Sequence, residues 1–227
     1  MSLILNIDTA SENAHVSLAK EGEVLHVLSS ELQKEHASFL QTAIQRLTKV
    51  ANINLKEIDA VAVTAGPGSY TGLRVGFASA KGLCYALKRP LITIGTLEVL
   101  TVSALQLHPP VADENILFCP MIDARRAEVF TAIYQNDLTL HLQPCAMILD
   151  EFSFKKELSE SRILFFGSGS EKWKNLCNYP NAIFTSVSVL PESFSKSSNF
   201  LFSEKKFTDL AYSEPFYLKE FQSVIQN

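Results

Sequence analysis

The sequence lacks the marks of several large functional classes. No apolar run approaches the roughly 20 residues of a membrane span. The chain reaches Asp8 after only a short apolar stretch, so no signal peptide is expected. Basic residues are few and scattered: 20 Lys+Arg face 24 Asp+Glu, for a net charge of -4. The only basic pairs are Lys88/Arg89, Arg125/Arg126, Lys155/Lys156 and Lys205/Lys206. A stand-alone nucleic-acid binder needs a basic stripe to displace counterions from phosphates, and none is visible. The four cysteines, Cys84, Cys119, Cys145 and Cys177, form no C-x-x-C pair. They read as reduced, buried thiols of a cytoplasmic protein.

Catalytic motifs are also missing. The five histidines, His15, His26, His36, His108 and His141, never occur at metal-ligand spacing on a helix. His36 is followed four residues later by Leu40, where a second ligand would stand, and no H-E-x-x-H occurs. No metal site is expected. Ser69 lies among glycines, but not in the frame of a G-x-S-x-G nucleophile elbow.

What is present is a folded α/β chain. Its 227 residues are 47% hydrophobic, enough for one domain or two small ones. Apolar and β-branched runs predict strands at 3–7, 14–19 and 24–28, then a helix over 31–51. A strand at 58–64, a helix at 71–87, a strand at 91–94 and a helix at 96–107 follow. The order is β-β-β-α-β-α-β-α. The second half repeats it less cleanly. Strands are expected at 116–122, 128–134, 138–142 and 162–166, and helices at 149–158 and 171–177. Ile7-Asp8-Thr9-Ala10 aligns with Ile122-Asp123-Ala124-Arg125, and Ala65-Gly66-Pro67-Gly68-Ser69 with Phe166-Gly167-Ser168-Gly169-Ser170. A duplicated element order with matching turn chemistry predicts two lobes. The lobes are 1–108 and 109–210, divided near Pro109-Pro110, with 211–227 packing back on the first.

Five of the nine glycines lie between Gly66 and Gly82. Gly66, Gly68, Ser69, Thr71, Gly72 and Arg74 link a strand to a helix start. Backbone N–H groups there can face an anion, and Arg74 can pair with it. The same pattern also suits a strained turn with a capped helix and no ligand. It is not a P-loop, because no Lys-Ser/Thr follows the last glycine, and it is not the dinucleotide fingerprint. Asp8 ends its strand as a carboxylate that can serve a metal–nucleotide or cap the next turn. Thr9-Ala10-Ser11-Glu12 after it offers no glycine, so phosphotransfer by this chain alone is not expected. Gly72, Gly76, Ala80 and Cys84 fall four apart on one helix face, which fits either the chain's own sheet or a partner helix.

These segments together resemble one family. Ile4-Leu5-Asn6-Ile7-Asp8-Thr9-Ala10, the run from Gly66 to Gly76, Ala80-Lys81-Gly82-Leu83, Asp123-Ala124-Arg125-Arg126-Ala127-Glu128-Val129 and Pro215-Phe216-Tyr217-Leu218 are similar to the TsaB (YeaZ) family. The glycine-loop match is the specific one, and the matches span nearly the whole chain. The resemblance implies an actin-like (ASKHA) ATPase fold of two duplicated lobes of mixed β-sheet flanked by helices, the second lobe reduced. It implies a non-catalytic, cytoplasmic subunit that dimerises with the catalytic paralogue TsaD, with TsaE as an associated ATPase. Its role would be N6-threonylcarbamoyladenosine formation at tRNA position 37, tRNA being met through the complex.

The family's seam of two helices per subunit would use Leu32, His36, Phe39, Leu40, Ala43, Leu73, Phe77, Ala80, Lys81 and Cys84. A homodimer through the same helices is compatible. No cofactor is expected in the chain alone. ATP or ADP would sit at the complex interface, against Asp8 and the glycine loop with Arg74. A stand-alone actin-fold phosphotransferase is the alternative, and a glycoprotease-like peptidase of the M22 type a remoter one.

Overall fold

The computed structural model describes residues 1–11, 13–30, 36–110 and 115–219, with His36 and Ala37 described by backbone alone. β1 (Leu3–Asp8) is apolar on both faces except for Asn6 and Asp8, as a central strand must be. It runs into β2 (Ala14–Lys20) and β3 (Glu23–Ser30) as an antiparallel meander. Glu21 and Gly22 both take positive φ in the tight turn between β2 and β3. β3 alternates exposed and half-buried residues because it is the sheet edge.

α1 (His36–Ala51) follows, and its Leu40, Ala43, Ile44 and Leu47 lie buried on the sheet at the spacing of one helix face. β4 (Ala60–Gly66), α2 (Tyr70–Leu87), β5 (Leu91–Gly95) and α3 (Thr96–Leu107) complete the first repeat.

The second repeat has the same order. β6 (Ile116–Asp123), β7 (Glu128–Tyr134) and β8 (Leu140–Ile148) form its meander. α4 (Lys155–Glu160), β9 (Arg162–Phe166), α5 (Ser170–Lys174), β10 (Ala182–Phe184) and α6 (Pro191–Ser203) follow. The sheets are ordered β3-β2-β1-β4-β5 and β8-β7-β6-β9-β10. In each, the first strand pairs antiparallel with the second and parallel with the fourth: Leu5 faces Leu18 and Val61, and Cys119 of β6 faces Phe165 of β9. This is the duplicated actin-like fold. The second lobe is reduced in its helices: α4 and α5 have 6 and 5 residues where α1 and α2 have 16 and 18. Its core is instead aromatic, with Trp173 fully buried among Phe154, Phe165 and Phe184.

The expected division at 108/109 cuts the sequence repeat but not the packing. The lobes exchange their last helices. Leu97, Leu100 and Ala104 of α3 pack with Phe118, Phe166 and Tyr134 of the second sheet. Phe194 of α6 packs with Ile4, Ala62 and Ile94 of the first. A polar seam fixes α6. Buried Asn6 donates from Nδ2 to Ser195 Oγ at 3.1 Å, and its Oδ1 accepts from Ser198 Oγ at 2.6 Å. Serine is small enough for a helix to lie close to the sheet and still satisfy a buried amide.

Two expectations move. The third meander strand of the second lobe runs from Leu140 to Ile148, past Pro144, which an edge strand tolerates. The helix expected from 149 begins at Lys155. The first part of the 31–51 helix lies outside the described residues as far as residue 35.

Candidate functional site

Asp8 ends β1 fully buried. Its Oδ1 accepts from the Ala10 amide at 3.0 Å and from Thr64 Oγ1 at 2.8 Å, so the carboxylate shapes the turn that follows it. Oδ2 has no hydrogen-bond partner among the described residues and lies 3.7 Å from His15 Nδ1, beyond hydrogen-bond reach. Burial pushes the His15 imidazole below its ordinary value, against the opposing pull of Asp8 and Glu192. His15 is therefore neutral at pH 7, and the pair is no salt bridge there.

The Asp8 turn is seated in the glycine loop. Ser69 caps α2 by accepting from the Gly72 amide at 3.2 Å, and its own amide donates to the Ala10 carbonyl at 2.7 Å. Thr9 Oγ1 donates to the Gly72 carbonyl at 2.7 Å. A Cβ at Gly68 would run into the Ala10 carbonyl oxygen, and one at Gly72 into that of Thr9. Gly66, at φ +106°, has the Phe216 carbonyl oxygen 2.6 Å from where its Cβ would be. Glycine is thus required because the chain's own backbone approaches closely. Asp8, Gly66, Gly68, Ser69 and Gly72 do come together, as a joint between the Asp8 turn and the glycine loop. Thr71 is exposed in the first turn of α2.

Arg74 stands apart from that joint. Its guanidinium lies 4.1 Å from the Tyr70 ring centroid, and Nε donates to Tyr217 Oη at 3.2 Å. Tyr217 belongs to a C-terminal strap whose Phe216 amide donates to the Ala65 carbonyl at 2.7 Å. Lys81 donates to the strap's Ser213 and Ala211 carbonyls at 2.8 and 3.3 Å. The strap then reaches the second lobe, where Lys219 Nζ meets Glu128 Oε2 at 2.7 Å. The motif at Pro215 marks this strap, but its contacts are not legible from spacing.

The counterpart turn in the second lobe keeps the geometry and changes the chemistry. Asp123 Oδ1 accepts from the Arg125 amide at 2.6 Å, as Asp8 does from Ala10. The exposed Asp123 is, however, paired with Lys172 Nζ at 2.7 Å.

The seam residues need correction. Leu40, Ala43, Leu73, Phe77, Ala80 and Cys84 are all buried in the chain's own first lobe. Phe39 is half-buried against the same core, and Lys81 is engaged by the strap. Leu32 lies outside the described residues, and of His36 only the backbone is described. The stripe Gly72, Gly76, Ala80 and Cys84 faces inward, with Gly76 against Thr9 and Val63. The outward face of α2 carries Ala78, Gly82, Tyr85 and Ala86, with Tyr85 81% exposed. Beside it α1 exposes Ser38, Gln41 and Gln45, and Gln41 Nε2 donates to Ser79 Oγ at 3.1 Å. A Cβ at Gly82 would meet nothing within 4 Å among the described residues.

Among the described residues no group of three or more His, Cys, Asp or Glu is placed to hold a metal ion, and no helix is long and apolar enough to cross a membrane. The four thiols are free, and burial pushes Cys84 up to about 11.

The two kinds of glycine on α2 respond oppositely to a methyl group. Gly72→Ala should destabilise the chain by about 2 kcal/mol or more through the Thr9 clash. Gly82→Ala should stabilise it by about 0.5–1 kcal/mol through helix propensity. Urea denaturation reads both. The buried His15 gives a pH signature. The folded chain resists a proton that the unfolded imidazole takes up near 6.5. Stability is therefore intact above that pH and falls below it, by at most ~1.4 kcal/mol per pH unit. His15→Gln should flatten the slope of stability against pH between about 5 and 6.5.

Comparison with known proteins places this architecture. A family model described as "TsaD: tRNA N6-adenosine threonylcarbamoyltransferase" matches residues 24–213. The tRNA threonylcarbamoyladenosine biosynthesis protein TsaB of Bacillus subtilis is 29% identical over 76% of this chain and 74% of its own. That of Escherichia coli is 28% identical over 95% and 94%. A crystal structure of a Pseudomonas aeruginosa protein with similarity to YeaZ superposes with a TM-score of 0.83 at 24% identity, covering 96% of this chain and 100% of that one. At that identity the likeness speaks for the fold. The chain belongs to the TsaD family, and the relatives it matches over most of its length are TsaB proteins.

Proposed function

We propose that this chain is a cytoplasmic, non-catalytic subunit that pairs with a TsaD-type transferase and is required for threonylcarbamoylation of tRNA adenosine at position 37. Gly82 carries the reading. A glycine inside an exposed helix costs about 1 kcal/mol relative to alanine. Gly72 and Gly76 answer to Thr9, but nothing among the described residues answers to Gly82. Set between Ala78 and Ala86, it lets a second helix approach closely. Tyr85 beside it is the kind of exposed aromatic that anchors an interface. The outer faces of α1 and α2 together can present the roughly 800 Å² that a stable partner needs.

The same face supports a homodimer when the transferase is absent. TsaE joins as a third component through the pair, and tRNA is met by the assembly. The glycine joint supports the view that the isolated chain holds no adenine nucleotide. ATP or ADP in the assembly then belongs to the interface with the partner.

Depletion of the protein should leave tRNA short of threonylcarbamoyladenosine, and normal levels in a modification assay would sink the proposal. Gly82→Arg should leave the monomer's melting temperature unchanged or raised and abolish co-elution with the transferase on gel filtration. An intact complex would move the seam elsewhere. Calorimetry of the isolated chain with ADP should show no heat of binding, and saturable binding would return the nucleotide to this subunit.

A further inference from the structure

Basic residues that look scattered in the sequence converge in the fold. Arg74 on α2, Lys219 on the strap, Lys172 on α5 and Arg125 and Arg126 in the β6–β7 turn are linked by contacts along one edge across the two lobes. Arg74 bonds Tyr217 at 3.2 Å, two residues before Lys219. Lys219 pairs with Glu128 at 2.7 Å, and Lys172 donates to the Glu128 carbonyl at 3.3 Å. Lys172 also pairs with Asp123 at 2.7 Å, and the Asp123 carboxylate holds the Arg125 amide at 2.6 Å.

The row is not neutral. Each lysine has its carboxylate, Glu128 or Asp123, and the two acids are thereby satisfied. The three guanidinium groups have no acid partner among the described residues. Arg74 is held by the Tyr70 ring face and the Tyr217 hydroxyl. Arg125 and Arg126 are exposed and adjacent in the chain. Three of the five bases in this row lack an acid partner among the described residues, a local positive surplus on a chain of net charge -4. Its guanidinium ends are planar donor forks that suit phosphate oxygens.

We infer that this row is a contact for the phosphate backbone of RNA, with Arg125 and Arg126 as its outermost points. The inference rests on the proposed role in tRNA modification and adds to it which surface of this subunit meets the nucleic acid. A row of this kind positions the backbone and carries no base specificity. It is too small to hold RNA alone, in keeping with the chain's overall acidity, and acts as an extension of a site completed by the partner. Carboxylates on a partner protein are the competing occupant. A spread of isolated charges from four elements suits the repeating phosphates of a strand better than it suits one acidic loop.

The test uses the assembled complex with the transferase and unmodified tRNA. The double variant Arg125→Gln/Arg126→Gln should weaken tRNA binding about 10-fold near 0.1 M salt. It should also lower the slope of log affinity against log salt by roughly 1.5–2, the share of two phosphate contacts. Lys155→Gln/Lys156→Gln, an exposed pair on α4, should change neither. Thermal melting and gel filtration report whether the variant folds and assembles. If it assembles and binds tRNA with unchanged affinity and slope, the inference is overturned. If it folds but no longer pairs with the transferase, the row is a protein contact and the inference is again overturned. Failure of the wild-type complex to form or to bind tRNA would instead strike the proposed function itself.

Discussion

The fold turns on one joint: the turn after Asp8 pressed into the glycine loop at the head of α2. The Asp8 carboxylate sets the turn by binding the Ala10 amide and Thr64. The turn then offers its carbonyl oxygens to the loop, where only hydrogen fits on Gly68 and Gly72. This joint fixes β1 against the start of α2, and so sets which face of α2 lies on the sheet. Everything said about partner surfaces follows from that rotation. With Gly72, Gly76, Ala80 and Cys84 held inward, the face bearing Ala78, Gly82 and Tyr85 must point out.

Contacts within the chain are enough to require the glycines of this loop. A glycine-rich turn at a helix start attracts anions because its amides are free and the backbone is bare. Here the Ser69 and Gly72 amides are engaged within the chain, and the bare backbone is covered by carbonyl oxygens. The glycines serve contact between segments. The strap closes the other side, with Phe216 lying over Gly66.

Much of the fold was legible because its signals are local. The strand runs, the two-residue turn at Gly22 and the apolar spacing of α1 each reflect a short-range constraint, and their order repeats. α6 was not legible, since its buried face reads Ser193, Phe194, Ser195 and Ser198, and a serine-lined face carries no apolar period. Its partner, Asn6, lies 189 residues from Ser195. The exchange of α3 and α6 between lobes is hidden for the same reason: spacing shows that a helix has an apolar face, not which sheet it covers. The seam failed on a related ambiguity. α2 carries small residues on two faces, and the sequence cannot say which one the sheet takes. The basic row escaped because its members come from four elements, and only the strap joins Arg74 to the rest.

The two surfaces assigned here are neighbours along a single helix. Arg74 and Gly82 are eight residues apart on α2, which at 1.5 Å per residue places them about 12 Å apart along its axis. At 100° per residue they are rotated by roughly 80° from each other. Ala78 lies between them on the same row of residues spaced by four, so a partner helix laid along Ala78 and Gly82 would meet the basic row at the Arg74 end. Nucleic acid reaching the row would at the same time run along the flank of the partner. On the proposed pairing, that proximity would let one helix dock the transferase and begin a charged track toward it.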